Sequence, residues 1–115
     1  MKLSDLAIGI GAKIVAPPRD AASEIEAVYA GDCMSDLLNH AGGGTLLVSN
    51  LAAAHLTRMA GLLDVPGICL LNDIIPDGEL VRAAIEHGAC LMVSPWGMFE
   101  TCGRLYQLLG KTAQR

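Results

Sequence analysis

Five polar side chains have the types and positions expected of residues that recognise a small molecule. They are Asp32, Asn50, Asn72, Asp73 and Ser94. Carboxylate oxygens accept hydrogen bonds, whereas side-chain amides and hydroxyls both accept and donate them. No pair of titratable groups in the chain has a spacing that specifies acid–base catalysis. The chemistry expected of the five residues is therefore ligand binding, and the chain is not expected to be an enzyme.

Three short apolar segments are expected to position most of these residues. Thr45–Val48, Gly67–Leu71 and Cys90–Val93 each read as a strand that ends in a polar step and is followed by a helix. Strands that alternate with helices predict a parallel sheet, and such sheets bind ligands at the carboxyl ends of their strands. Helix N-termini would also point there, so backbone amides could receive a phosphate or carboxylate.

A plainer interpretation of the five residues stays open beside the binding site. Asn, Asp and Ser are the usual helix caps and turn formers, and capping alone explains their positions. The acidic pair Asp32 and Asp73 would also disfavour a bare anion, which weakens a nucleotide interpretation.

The first part of the chain is predicted to form two helices and two strands. Ser4 is expected to cap a short first helix, and Lys13–Ala16 is predicted to be a strand. Glu24–Tyr29 is predicted to be a second strand because of its β-branched residues and partial alternation. Asp32 is expected to cap a helix over Cys33–His40.

The three later helices are predicted to begin directly after the polar ends of the strands. Asn50 is expected to cap Leu51–Leu63, and a second helix is expected over Pro76–His87. Ser94 is expected to cap the last helix, Trp96–Leu109, whose aromatic residues are interpreted as core or dimer seam ahead of a cofactor site. The tail Lys111–Arg115 is predicted to fray.

No metal or cofactor is expected. The Gly42–Gly44 run lies between a helix and a strand, which is the wrong side for a phosphate loop, and is interpreted as a turn. None of the three histidines has a ligand partner at metal spacing on the same helix face. The four cysteines include no Cys-x-x-Cys pair, and the two within predicted strands are expected to be buried thiols.

Composition indicates a single domain that hides apolar surface by association. The chain has 115 residues, of which 52% are hydrophobic and 17% charged, whereas globular proteins average about 25% charged. We therefore expect a homodimer, with a large exposed ligand groove as the alternative. The net charge of −4 and the lack of a basic run argue against nucleic acid. No apolar segment of about 20 residues and no signal peptide is present, so we expect no membrane contact and a cytoplasmic location.

The order of several short motifs resembles that of DRTGG-domain proteins. The resemblance is carried by Met1–Leu6 with Lys13–Val15, by Val28–Asp32 with Ser35–Leu38, by Gly67–Asn72 and by Phe99–Tyr106. It covers nearly the whole chain, from 1 to 115, as one DRTGG-like domain. The sequence departs from the pattern at Asn50–His55, where many relatives carry an acidic–basic pair.

The resemblance implies a three-layer α/β/α sandwich with a mixed, mostly parallel sheet. A domain of this kind is similar to the N-terminal domain of the bacterial kinase/phosphorylase that acts on the phosphocarrier protein HPr. It is also similar to the domain that accompanies CBS domains in regulated pyrophosphatases. Such domains are regulatory or dimerising modules without catalytic activity of their own. We therefore expect a non-enzymatic regulatory or ligand-sensing module that forms a homodimer. The alternative is a small-molecule binding protein, for an adenine nucleotide for example, that uses the carboxyl-end crevice.

Overall fold

The computed structural model describes residues 1–110, so the predicted fraying of Lys111–Arg115 lies outside it. The helices are α1 (Leu3–Ile10), α2 (Met34–Asn39), α3 (Ala54–Leu62), α4 (Gly78–His87) and α5 (Met98–Leu109). The strands are β1 (Lys13–Ala16), β2 (Ala27–Ala30), β3 (Thr45–Ser49), β4 (Gly67–Leu70) and β5 (Cys90–Val93). They form one sheet in the order β1-β5-β4-β3-β2. Strands β2 to β5 are parallel, and β1 pairs with β5 in the antiparallel sense.

Helices cover both faces of this sheet, which confirms the predicted three-layer sandwich with a mixed, mostly parallel sheet. One core lies between the sheet and the layer formed by α1 and α5, where Leu6, Ile10 and Leu105 are buried. The other lies beneath α2, α3 and α4, where Leu56 and Leu80 are buried. Strands β4 and β5 are buried along their full length because helices pack on both of their sides.

Contacts between the two ends of the chain complete one side of the molecule. Lys13 of β1 pairs with Val93 of β5, and α1 packs against α5. The indole Nε1 of Trp96 donates a hydrogen bond of 3.0 Å to the carbonyl oxygen of Ile10, at the end of α1. Early and late segments are therefore joined in both the sheet and the helical layer.

All five predicted helix starts are displaced, and all four predicted caps are wrong. α1 begins at Leu3 with Lys2 as its cap, so Ser4 does not cap it. α2, α3 and α5 begin at Met34, Ala54 and Met98, later than predicted and without a side-chain cap. Asp32, Asn50 and Ser94 are not caps because other hydrogen bonds, described below, occupy their side chains. Among the helices of residues 1–110, α4 alone has a side-chain cap: the Asp77 carboxylate accepts a hydrogen bond of 2.8 Å from the amide of Leu80. Pro76, the predicted first residue of this helix, therefore lies before the cap and outside the helix.

The second strand is also displaced from its predicted bounds, from Glu24–Tyr29 to Ala27–Ala30. The amides of Glu26 and Ala27 both donate to the carbonyl oxygen of Gly44, so regular pairing begins only at Ala27. Glu24 instead forms an isolated antiparallel bridge with Lys2.

Helices α3 and α4 approach each other closely at Gly61. A Cβ atom added there would contact the Cβ of His87 and lie 2.8 Å from the carbonyl oxygen of His87. Glycine is therefore required by the packing of the two helices.

Among residues 1–110, no helix has the length and the apolar character that a membrane span requires.

Candidate functional site

Three of the five predicted site residues form a chain of hydrogen bonds, here called the Asp32–Asn50–Asn72 chain. The amide and the side-chain Nδ2 of Asn50 donate to Oδ1 and Oδ2 of Asp32 over 2.8 and 3.3 Å. Ser49 Oγ donates to the same Oδ1 over 3.2 Å. Asn72 Nδ2 then donates to Asn50 Oδ1 over 2.9 Å. All three residues are exposed to solvent, so the chain forms a polar strip on the surface.

The parallel register of the sheet explains why residues so far apart in sequence meet. Ala30 of β2 pairs with Val48 of β3, and Ser49 of β3 pairs with Leu70 of β4. The three strands thus end at the same level, and the polar residues that follow them lie side by side.

Asp73 lies next to this chain in an uncommon backbone conformation. Asn72 and Asp73 have φ angles of 60° and 54°, in the left-handed region. Amide hydrogen bonds hold this turn, from Asn72 to the Trp96 carbonyl oxygen over 2.8 Å and from Asp73 to that of Ser94 over 2.9 Å. The cost of such a conformation is on the order of 1 kcal/mol for each residue, and Asn and Asp bear it best. The turn fixes Asn72 against the end of β5.

Ser94 is separated from the polar strip by burial. Its hydroxyl lies 2.8 Å from Oγ1 of Thr101 and accepts a hydrogen bond of 3.1 Å from the amide of Trp96. Both hydroxyl-bearing residues are 0% exposed. The structure therefore brings Asp32, Asn50 and Asn72 together, places Asp73 beside them, and places the Ser94 side chain inside the packing of α5.

Two helix N-termini flank the polar strip. α3 and α5 follow the caps Ala53 and Gly97, neither of which has a side-chain hydrogen bond to the first turn. A Cβ atom on Gly97 would lie 3.4 Å from Asn72 Oδ1, so the start of α5 adjoins the chain. Amides in an uncapped first turn carry partial positive charge and attract anions.

Hydrogen bonds from Asn50 and Ser49 stabilise the ionised form of the Asp32 side chain. The hydrogen bond from the backbone amide of Asn50 lowers the pKa of the Asp32 carboxyl below its ordinary value. Desolvation opposes this effect, and the side chains of Asn50 and Ser49 add smaller contributions that lower the pKa. The side chain therefore remains an ionised acceptor at neutral pH, suited to a hydroxyl or amine group of a ligand.

One residue beside the strip was not singled out from the sequence. Cys33 is exposed, and its Sγ lies 3.2 Å from Oγ of Ser35. That hydrogen bond and amides at the start of α2 lower the pKa of the Cys33 thiol. The two strand cysteines behave as predicted, since burial raises the pKa of Cys69 to about 12 and that of Cys90 to about 11. The sequence signal that could have identified Cys33 is its position directly after the predicted site residue Asp32.

Two cavities lie near opposite ends of the sheet strands, and the larger of these two is at the amino end. Its volume is about 330 Å³, and it is bordered by Arg19, Glu24, Asp64 and His87. Arg19 Nη2 donates to the His87 carbonyl oxygen over 2.7 Å, which fixes one wall. A second cavity of about 260 Å³ lies near the carboxyl edge and is lined by Asp73, apolar side chains and Lys13. Asp73 is thus a predicted site residue that lies on the wall of this second cavity.

Comparison with known proteins bears on the fold. Scans of the sequence against family models and against curated proteins return no match. The structure is similar to a crystal structure of the CBS and DRTGG domains of the regulatory region of a Clostridium perfringens pyrophosphatase, in complex with its activator diadenosine tetraphosphate. The TM-score is 0.68 at 12% sequence identity. The match covers 99% of this chain and 50% of that one, so this chain spans half its length. The expected likeness to a DRTGG-like domain is thus confirmed at the level of the fold.

Proposed function

We propose that this chain is a one-domain regulatory module that binds a small molecule at the carboxyl edge of its sheet and forms a homodimer. The observation that carries the proposal is the Asp32–Asn50–Asn72 chain. Its three residues lie on three adjacent strand ends, are exposed, and present acceptors and donors in a row. A ligand that lies along this row would bridge three strands at once, which is how binding could be coupled to the rest of the fold.

An adenine nucleotide is the ligand class that this edge suits best. The Asp32 end of the row accepts hydrogen bonds from ribose hydroxyls or a base amine. The uncapped start of α5, next to Asn72, suits phosphate oxygens. It lies at the far end of the row from the charge of Asp32, while the nearby Asp73 weakens the attraction. The structurally similar pyrophosphatase region binds diadenosine tetraphosphate, which has both kinds of group.

The state of the hydroxyl groups supports a non-catalytic role. Ser49 Oγ donates to Asp32, Ser94 Oγ is paired with Thr101, and both serines are 0% exposed, so neither hydroxyl is open to a substrate. Within residues 1–110, no group of three His, Cys, Asp or Glu side chains is placed to hold a metal ion. Binding without chemistry is therefore the role proposed for the edge.

Titration with adenine nucleotides tests this proposal. We expect the melting temperature to rise with AMP, ATP or diadenosine tetraphosphate, since a ligand at a hundred times its Kd adds about 2.7 kcal/mol to the free energy of unfolding. Asn50→Ala and Asn72→Ala should each raise the Kd measured by calorimetry about tenfold, because a ligand hydrogen bond is lost. The matched control is Asn39→Ala on α2. A panel in which no nucleotide shifts the melting temperature would contradict the proposal, as would Kd values that both site variants leave unchanged.

The α1–α5 layer is the proposed dimer surface. Ile8 on α1 is 79% exposed and Phe99 on α5 is 92% exposed, and Leu108 adds further apolar area. Exposed apolar side chains of this size are typical of interfaces. We expect sedimentation equilibrium at micromolar concentration to give twice the mass of one chain, and Phe99→Glu to shift the protein toward monomer. Ile75→Glu, at an equally exposed residue of the β4–α4 loop, is the control. A monomeric wild-type protein would refute the dimer and leave the nucleotide proposal standing.

A further inference from the structure

Within residues 1–110, the outer edge of β2 has backbone groups without a partner. β2 is last in the sheet order, and in this part of the chain it pairs with β3 alone. The amides of Ala27 and Gly31 donate toward β3, to the carbonyl oxygens of Gly44 and Val48 over 3.1 and 3.0 Å. Because successive peptide groups of a strand point to opposite sides, the amides of Val28 and Ala30 point away from the sheet. They donate no hydrogen bond to any residue in the range 1–110.

The other edge of the sheet is protected from pairing, whereas β2 is not. β1 carries Lys13, and its register with β5 is broken between Ile14 and Ala16. Two prolines follow it directly. Charges, bulges and prolines are the usual means of blocking an edge strand. β2 has the uncharged sequence Ala-Val-Tyr-Ala, is half-exposed, and keeps an unbroken register over its four residues. It is therefore the edge that can be extended by another strand.

The charges around β2 define what can pair with it. Residues 20–57 contain no Lys or Arg, and their five acidic residues lie close to β2 in sequence. Glu26 directly precedes the strand, and Asp32 follows it by two residues. Positive charge on both flanks of an incoming strand would complement them, at modest strength because both sites are exposed.

A second copy of this chain fits the edge poorly. When Val28 of one copy and Ala30 of the other exchange hydrogen bonds in a two-fold antiparallel pair, so that both outward amides are used at the centre, Tyr29 lies opposite its equivalent. In that register, Glu26 of one copy faces Asp32 of the other. Like charges directly opposite in a strand pair are destabilising. The charge pattern therefore favours a different partner.

We propose that the β2 edge binds an extended segment of another protein, with an apolar centre and a basic residue at each end. Backbone hydrogen bonds to Val28 and Ala30 would give affinity, and the basic ends would give specificity through Glu26 and Asp32. This binding surface is separate from the dimer surface proposed above. It shares Asp32 with the proposed ligand site but does not require that a ligand binds there.

The test uses a labelled peptide, Lys-Val-Thr-Val-Thr-Val-Lys, and a matched peptide with Glu at both ends. Fluorescence anisotropy should show binding of the first at least about tenfold tighter at low salt, and added salt should weaken it. Val28→Pro should weaken binding about tenfold, because proline removes an outward donor. The β2–β3 bonds of Ala27 and Gly31 remain. Val28→Ala keeps the amide and should bind like the wild type.

Amide spectra of the wild-type protein keep the test decisive if Val28→Pro fails to fold. The lysine peptide should shift the amide resonances of Val28 and Ala30 more than those of Ala27 and Gly31. Equal binding of the two peptides would overturn the charge argument. Loss of the dimer in Val28→Pro would assign the edge to a second copy and overturn the proposal. Amide resonance shifts confined to another surface would also overturn it.

Discussion

Replacing Gly61 by alanine is expected to lower the free energy of unfolding by about 1–3 kcal/mol, the usual cost of overpacking. The new methyl group would contact the Cβ of His87 and lie 2.8 Å from its carbonyl oxygen. That oxygen also accepts the hydrogen bond from Arg19, so the end of α4 cannot retreat without disturbing a wall of the larger cavity. Chemical denaturation measures the loss, and a lower melting temperature should accompany it.

Gly103→Ala is the matched control for this prediction. Gly103 lies within α5, and a Cβ atom there would meet no atom within 4 Å. Alanine in an open helix position is favoured over glycine by up to about 1 kcal/mol, so this variant should be neutral or more stable. Equal effects of the two substitutions would mean that helix propensity, and not the contact between α3 and α4, determines the result.

Ser94→Ala should cost about 1–3 kcal/mol, because it leaves buried polar groups without their partner. Thr101 Oγ1 would lose its neighbour at 2.8 Å, and the Trp96 amide would lose its acceptor. A double-mutant cycle with Thr101→Val measures the coupling, which we expect to lie between about 0.5 and 3 kcal/mol for two such groups in contact. Additive single effects would show that the two hydroxyls do not act as a pair.

Ser4→Ala is the control for the Ser94 variant and also tests the start of α1. Ser4 is exposed and makes no capping hydrogen bond, because Lys2 occupies the cap position. Its replacement should change the free energy of unfolding by less than about 0.5 kcal/mol. A loss of about 1 kcal/mol, typical of a removed cap, would contradict the helix start seen in the structure.

The sequence was sufficient for the architecture because strand signals in this chain are local. The apolar segments that became β3, β4 and β5 are each bounded by turn residues, and β1 lies at its predicted position. β2 was misplaced by three residues at its start, because the Gly44 carbonyl oxygen, far along the chain, decides where regular pairing begins. Local pattern cannot report such a contact.

The candidate site shows the same division between local and distant causes. Asp32, Asn50 and Asn72 lie at one edge of the sheet, as expected from the rule that the carboxyl ends of parallel strands meet there. Asp32 and Asn50 were nevertheless interpreted as caps, because a polar residue before a helix has the same local pattern whether it caps that helix or bonds across to a neighbouring strand end. The larger cavity escaped the sequence entirely, since its walls come from loops that meet only after folding.

The pairing of β1 with β5 and of α1 with α5 affects when the fold can be completed during synthesis. α1 and β1 leave the ribosome before their docking partners, β5 and α5, have been made. Until then, the apolar side of α1 lacks the part of its packing that α5 provides. Pairings that close so late slow the acquisition of structure and expose the nascent polypeptide to aggregation. A circular permutant that begins at β5 should therefore mature sooner than the natural order allows.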